Sequence, residues 1–149
     1  MKTRPLETRD RHVWATMRAE LWPDEDGDLL GHQTLMHFSG SPIAAVVFIC
    51  EDHDGAPCGF LELSLRPYAE GCSSSPVPFI EGWYVRPIAR HKGAGRALVA
   101  AAENWALLRN FTEIASDTEL SNAQSQGAHA ALGYEEVERL VTFRKSLRA

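Results

Sequence analysis

Hydrophobic and polar positions change their period several times along the chain, and each change marks an element. Lys2 to Leu6 predicts a short first strand. Val13, Met17 and Leu21 recur every fourth residue, on one face of a helix that Thr8 is placed to cap. Trp22-Pro23 stops that helix, since proline disfavours helical backbone before it. An acidic loop (Asp24, Glu25, Asp26, Asp28) leads to a second helix from about Leu29 to Phe38, ended by Gly40-Ser41-Pro42. Ile43 to Cys50 is an unbroken apolar run typical of a buried strand. Glu51 to Pro57, with Asp54-Gly55, reads as a hairpin turn, and Cys58 to Leu65 as the partner strand. Tyr68 to Pro78 is a Gly-, Ser- and Pro-rich loop, and Phe79 to Val85 a fourth strand.

Gly93 to Leu108 returns to helical period, with Ala97, Leu98, Ala101, Ala102, Trp105 and Leu108 on one face. Phe111 to Ser116 predicts a fifth strand. Ser121 and Gln124 form a capping-box pattern for a helix that Gly133 closes, and Tyr134 to Arg144 supplies one or two final strands. An antiparallel start followed by a β-α-β-α-β end predicts an α+β or α/β chain with a mixed sheet.

Composition narrows the partners. A chain of 149 residues suggests one domain spanning 1–149. With 44% apolar residues it has the makings of a core without metal or disulfide staples. Lys and Arg total 15 and Asp and Glu 20, a formal charge of −5. That balance disfavours nucleic acid and anionic membranes, which want a basic face, and permits a cationic substrate. Cys50, Cys58 and Cys72 are an odd number with no metal-like spacing, so free thiols are expected. The start of the chain has no apolar signal core, and the run from Pro42 to Cys50 is too short to span a bilayer; a cytoplasmic protein is expected.

The densest chemical signal runs from Val85 to Leu98. A strand leads into a turn containing Arg90, His91, Lys92, Gly93, Ala94, Gly95 and Arg96, and the turn opens a helix. Unpaired N–H groups at a helix start, glycines that admit close approach and three cationic side chains suit a pyrophosphate. The turn lacks the Gly-Lys-Ser/Thr of a Walker loop and the third glycine of the dinucleotide fingerprint. On local pattern alone, an anion site and a solvated basic turn both remain open.

Arg90-x-x-Gly93-x-Gly95 after a strand resembles the acetyl-CoA signature of the GNAT superfamily of N-acetyltransferases, and Asn122…Ala131-Leu132-Gly133-Tyr134 resembles its last conserved block. A closer resemblance, to bacterial aminoglycoside 6′-N-acetyltransferases, runs through both halves of the chain. It is carried by Leu21-Trp22-Pro23, Tyr68…Gly71-Cys72…Ser74-Ser75-Pro76, Phe79-Ile80-Glu81-Gly82, Ala115-Ser116-Asp117-Thr118 and His129-x-Ala131-Leu132-Gly133-Tyr134-Glu135-Glu136.

The resemblance implies a mostly antiparallel central sheet flanked by about four helices. It implies acetyl-CoA as co-substrate, with the pyrophosphate on the backbone of Arg90 to Arg96 and the pantetheine arm along Trp83, Tyr84 and Val85. Asn122 would bind near the thiol end. Trp22, Tyr68, Glu81, Asp117 and Glu138 would hold the amino sugar, and two subunits would pair as a homodimer. Position 129 departs from the pattern: many superfamily members carry there a tyrosine that protonates the leaving thiolate, and here it is histidine. A histidine side chain can serve as an acid near neutral pH, so position 129 suits that acid role or is simply a packed or exposed helix residue.

Several of these residues are informative alone. Strict strand alternation would put Phe79, Glu81, Trp83 and Val85 on one face. A carboxylate among aromatics is costly unless paired, so Glu81 is either a structural ion-pair member or a general base and ammonium anchor. Asp117 follows the fifth strand, where ligands collect, but also suits a turn. Trp22 and Tyr68 are core packing or pocket walls. Glu138 is a substrate acid or a surface strand acid. Asp24 to Asp28 is a solvated helix approach or an electronegative rim. No His-Glu-x-x-His spacing and no nucleophile elbow around Ser73 to Ser75 is present, so no metal and no acyl-enzyme are expected.

The expected reaction is direct acetyl transfer to a primary amine. Glu81 is the first candidate base and Asp117 the second, and the oxyanion meets a backbone N–H of the fourth strand, as the resemblance suggests. The alternatives are a transferase for a polyamine, other small amine or protein amine, and a non-catalytic CoA-binding sensor.

Overall fold

The computed structural model describes residues 1–148. A five-stranded sheet runs in the order β1 (Lys2–Pro5), β2 (Val46–Glu51), β3 (Pro57–Arg66), β4 (Val77–Val85) and β5 (Ala115–Ser116). The first four strands pair antiparallel, and β5 runs parallel to β4. The helices are α1 (Arg11–Leu21), α2 (Gly27–Phe38), α3 (Ala94–Leu108) and α4 (Ala123–Ala131). Single 3-10 turns precede α1 and follow β4. The mixed α+β sheet with four helices is the expected class.

The described residues group into two compact units, one from Met1 to Asp117 and a second beginning at Thr118. In the first, residues directly opposite on paired strands share a face of the sheet. Register puts Val47, Ile49, Phe60, Glu62 and Tyr84 on one face. There Trp14 and Met17 of α1, one turn apart, are fully buried against them. Phe48, Leu61, Leu63 and Trp83 lie on the other face, towards α3, whose Ala94, Leu98, Ala102 and Ala106 recur every fourth residue and are buried. Each large apolar side chain so buried contributes on the order of 1.5–3 kcal/mol.

Local chemistry explains most boundaries. The Glu7 N–H donates to Asp10 Oδ2 at 2.8 Å, so Asp10 and not Thr8 closes the approach to α1. Arg4 grips Asp10 with two bonds of 2.7 and 2.9 Å, fastening β1 to α1. The acidic loop serves α2, with the Asp26 carboxylate accepting from the Asp28 N–H at 2.9 Å. The β2–β3 turn closes on Asp52 Oδ1, which accepts from the N–H groups of Asp54 and Ala56, with Gly55 at φ +81°.

The structure corrects several expectations. Strand alternation fails in β4: Glu62 faces Gly82 while the next residue, Leu63, faces Ile80, so Glu81 is the extra residue of a β-bulge. The bulge flips the parity, and Phe79 shares its face with Gly82 and Tyr84 and not with Trp83. The fifth strand is only Ala115–Ser116. Trp105 is half-buried and Leu108 is exposed, because the buried stripe of α3 turns towards Ala106.

In the second unit, Asn122 caps α4 by accepting from the Ser125 N–H at 3.0 Å, in place of the Ser121–Gln124 box. Gly133 at φ +88° closes α4, and the Tyr134 N–H returns to the His129 carbonyl at 3.0 Å. Residues 135–148 form neither helix nor strand, against the expected final strands. Among the described residues, no helix is long and apolar enough to cross a membrane.

Candidate functional site

The basic turn is built as a cradle at the end of β4. After Val85 a 3-10 turn (Pro87–Ala89) redirects the chain, and His91 and Gly93 take positive φ of 62° and 91°. Gly93 is the residue before α3, where a left-handed conformation costs a glycine little. Arg90 turns inward: its Nε–H donates to the Val85 carbonyl at 2.9 Å and its guanidinium lies over the Tyr84 ring. His91, Lys92 and Arg96 are exposed, while Ala94 is buried in the first turn of α3. That first turn leaves backbone N–H groups without intrahelical partners beside exposed cations, as an anion requires.

Gly95 has a packing reason too. A Cβ there would lie 3.3 Å from the Trp83 ring, whose Nε1–H donates to the Gly95 carbonyl at 3.1 Å. Close contact of α3 with β4 therefore depends on the missing side chain. Trp83 faces α3, whereas Tyr84 faces α1 and donates its hydroxyl to Glu20 at 3.0 Å. Burial, first, and that bond raise the Tyr84 phenol above its ordinary range. The ladder on the β5 side of β4 covers only Phe79 and Ile80, so the two strands part just before Glu81.

The acids gather where they part. Glu81, on the bulge, receives two bonds from Arg66, Nε–H at 2.9 Å and Nη2–H at 2.6 Å. The hydrogen bond to Glu81 raises the Arg66 pKa, and the fields of Asp117 and Glu70 add to it. Arg66 also lies 3.6 Å above the Phe79 ring. Trp22 packs over Gly82, where a Cβ would come within 2.9 Å of its ring, and meets Phe60 edge-on. Tyr68, 66% exposed, stands on the loop that follows Arg66. Trp22, Tyr68, Glu81 and Asp117 thus all lie in the first unit, Trp22 and Glu81 at the bulge midway along β4 and Asp117 just past its parallel neighbour β5.

Asn122, His129 and Glu138 lie in the second unit. The Asn122 carbonyl oxygen is engaged in capping α4. His129 donates Nδ1–H to the Ser125 carbonyl at 2.7 Å and meets the Tyr134 ring edge-on. Glu138 is exposed in the segment after Gly133.

Three features escaped sequence reasoning. Arg66 is the first, an unremarkable cation at the end of a strand. Glu113 is the second: it accepts from the N–H groups of Ser73 and Ser74, at 3.0 and 2.8 Å, and from the Ser74 hydroxyl, bracing the Tyr68 loop. Those bonds, with the Ser74 hydroxyl's the largest, hold the Glu113 carboxyl below its usual range. The third is a buried charge pair under Gly82. Glu62 accepts from Trp14 Nε1–H at 2.9 Å and pairs with Arg18 at 3.5 Å. Burial raises the Glu62 carboxyl above its usual range and lowers Arg18. Arg18 lies against the Trp22 ring, 5.0 Å from its centroid, and so supports that ring from beneath. A carboxylate inside an apolar strand run was the available signal for this pair. Among the described residues, no group of three or more His, Cys, Asp or Glu side chains is placed to hold a metal ion.

The model of the acetyltransferase (GNAT) family matches residues 8–134. The chain is 51% identical over 147 residues to the aminoglycoside N(6′)-acetyltransferase type 1 of Klebsiella aerogenes, covering 97% of this chain and 95% of that protein. It is 42% identical over 139 residues to the protein of the same name from Stenotrophomonas maltophilia, covering 93% and 88%. Among solved structures it resembles AAC(6′)-Iy in complex with the bisubstrate analogue CoA-S-monomethyl-acetylneamine, with TM-score 0.85, 36% identity and 97% of each chain covered. It equally resembles the apo 6′-N-acetyltransferase AAC(6′)-IG from Acinetobacter haemolyticus, with TM-score 0.85, 33% identity, and 99% and 100% covered.

Proposed function

The chain belongs to the GNAT family of acetyltransferases, and from that membership we propose that it transfers the acetyl group of acetyl-CoA to the 6′-amine of aminoglycosides. The observation that carries the reading is β4, bulged midway along its length. One strand presents Glu81 at its kink and, a few residues on, runs into a turn of exposed cations and helix N–H groups. An acid for the ammonium and a cradle for the pyrophosphate are thereby fixed to one rigid element.

Both substrates bind before reaction, and no covalent enzyme intermediate forms. Arg90, His91, Lys92, Gly93, Ala94, Gly95 and Arg96 hold the pyrophosphate. The pantetheine arm lies along Trp83, Tyr84 and Val85, in the opening where β5 leaves β4. Asn122 meets the thiol end. Trp22, Tyr68, Asp117 and Glu138 hold the sugar.

An amine attacks only after losing a proton, and Glu81, through water, takes it; Asp117 is the second candidate. A β4 backbone N–H meets the oxyanion, and His129 returns a proton to the departing thiolate. A single acetyltransferase domain spanning 1–149 carries the reaction, in line with the family match over residues 8–134. Two subunits pair as a homodimer, as members of the aminoglycoside group it resembles commonly do. The enzyme works in the cytoplasm, without metal, nucleic acid or membrane partners.

The test is CoA-thiol release with a panel of amines, including kanamycin- and gentamicin-type sugars with and without a free 6′-amine. Transfer only to sugars bearing that amine is expected. Transfer to polyamines or a protein amine instead would overturn the substrate, and tight acetyl-CoA binding without transfer would overturn the enzyme.

A further inference from the structure

Around the proposed sugar subsite sits a cation that belongs to the protein itself. Arg66 lies along β4 over Phe79 and places both arms of its fork on Glu81, while Asp117 and Glu70 face it electrostatically. This pair differs from two buried pairs of the chain. The side chains of Arg18–Glu62 are 6% and 4% exposed and those of Arg4–Asp10 13% and 4%, whereas Arg66 and Glu81 are 41% and 28% exposed. The first two are sealed in; the third can exchange with solvent.

From this juxtaposition we propose that Arg66 is an internal counter-cation, which occupies Glu81 in the free enzyme and is displaced by an ammonium group of the cationic substrate. The proposal rests on the amine-transferase reading of the site. Its physical logic is compensation. Glu81 lies close enough to buried Glu62 to raise that carboxyl further, so an unpartnered charge on the bulge would add to an existing repulsion. Arg66 offsets it until substrate arrives. A ligand ammonium then exchanges one ion pair for another at little net Coulomb cost, whereas a neutral ligand would break the pair without replacing it. Occupancy of Glu81 by Arg66 therefore selects for a ligand with several ammonium groups, since Asp117 and Glu70 repay what competition at Glu81 removes. Arg66 is a specificity residue acting through Glu81.

The experiment compares wild type, Arg66→Lys and Arg66→Gln in kanamycin acetylation, and follows the Arg66 Nε–H resonance by NMR during a kanamycin titration. Arg66→Gln removes the competitor, so KM for kanamycin is expected to fall about fivefold, the worth of one partly exposed pair. Arg66→Lys keeps the charge without the fork and falls between. In wild type the Nε–H resonance shifts as the bond to Glu81 is lost. A KM that rises or stays constant in Arg66→Gln, or a resonance that does not move at saturating kanamycin, overturns the displacement. If Arg66→Gln fails to fold, the lysine variant and the resonance decide it. Wild type that acetylates kanamycin while these readouts fail leaves the enzyme reading standing. Wild type that acetylates no aminoglycoside overturns that reading, and the displacement with it.

Discussion

Gly82→Ala is the sharpest probe of how Trp22 is seated. A Cβ at residue 82 would lie 2.9 Å from Trp22 Cη2, 3.2 Å from Cζ2 and 3.4 Å from Phe60 Cε2, where 3.4 Å is the near edge of ordinary contact. Restoring that contact moves the indole by about half an ångström off its seat. The ring has little slack, because Arg18 lies 5.0 Å beneath it and Phe60 meets its edge. Overpacking of this kind costs about 1–3 kcal/mol, against about 0.5–1 kcal/mol gained by replacing glycine in a strand. A net loss of about 1 kcal/mol follows, a fall of about 3 °C in Tm for a chain of this size. KM for the sugar rises with it, because the displaced ring is the proposed pocket wall.

The control is the double mutant with Trp22→Phe, whose ring does not reach the added methyl. In that background Gly82→Ala should cost nothing or stabilise slightly, a coupling of about 1 kcal/mol. The assay is urea unfolding of the four proteins, with KM measured on each. Strict additivity of the two substitutions, or a Gly82→Ala protein as stable as wild type with unchanged KM, would refute the claim that this glycine exists to seat Trp22.

Glu81→Gln should lower turnover by two orders of magnitude or so, the usual scale of a lost general base, while acetyl-CoA binding measured by calorimetry survives. Unchanged turnover would remove Glu81 from the chemistry. Gly95→Trp fills the turn and drives into the Trp83 ring, so acetyl-CoA affinity should collapse while the sheet's circular dichroism persists; normal affinity would show that the pyrophosphate sits elsewhere. Asp10→Asn breaks the buried pair with Arg4 and should cost about 3 kcal/mol at pH 7. Arg4 holds the Asp10 carboxyl below its ordinary range, so its stabilisation is present above the unfolded value near pH 4 and is lost as pH falls through the lower folded value. Wild type and variant should therefore converge in stability in acid, and a gap independent of pH would reject the linkage.

Helices α1 and α3 and the β2–β3 hairpin were legible because their causes are local. Periodicity every fourth residue, a Trp-Pro stop and an Asp-Gly turn each act within a few positions. The basic turn at 90–96 was legible for the same reason. The bulge at Glu81 was not, because a bulge is a relation between two strands: residues 62 and 63 of β3 select it, and no property of 77–85 alone requires it. Arg66 and Glu113 stayed hidden because their partners lie 15 and about 40 positions away. The strands expected over 134–144 did not form, since a strand is completed only by a partner, which the segment itself does not name.

By itself, then, the sequence determined the element order, the family motifs and the candidate acids, since these follow from neighbouring side chains and their spacing. Only the tertiary structure decided how those acids are held: Glu81 lifted out of register and clasped by Arg66, Trp22 seated on a glycine, the Tyr68 loop braced by Glu113. Charges act through space, and folding alone sets which of them come within a few ångströms of one another.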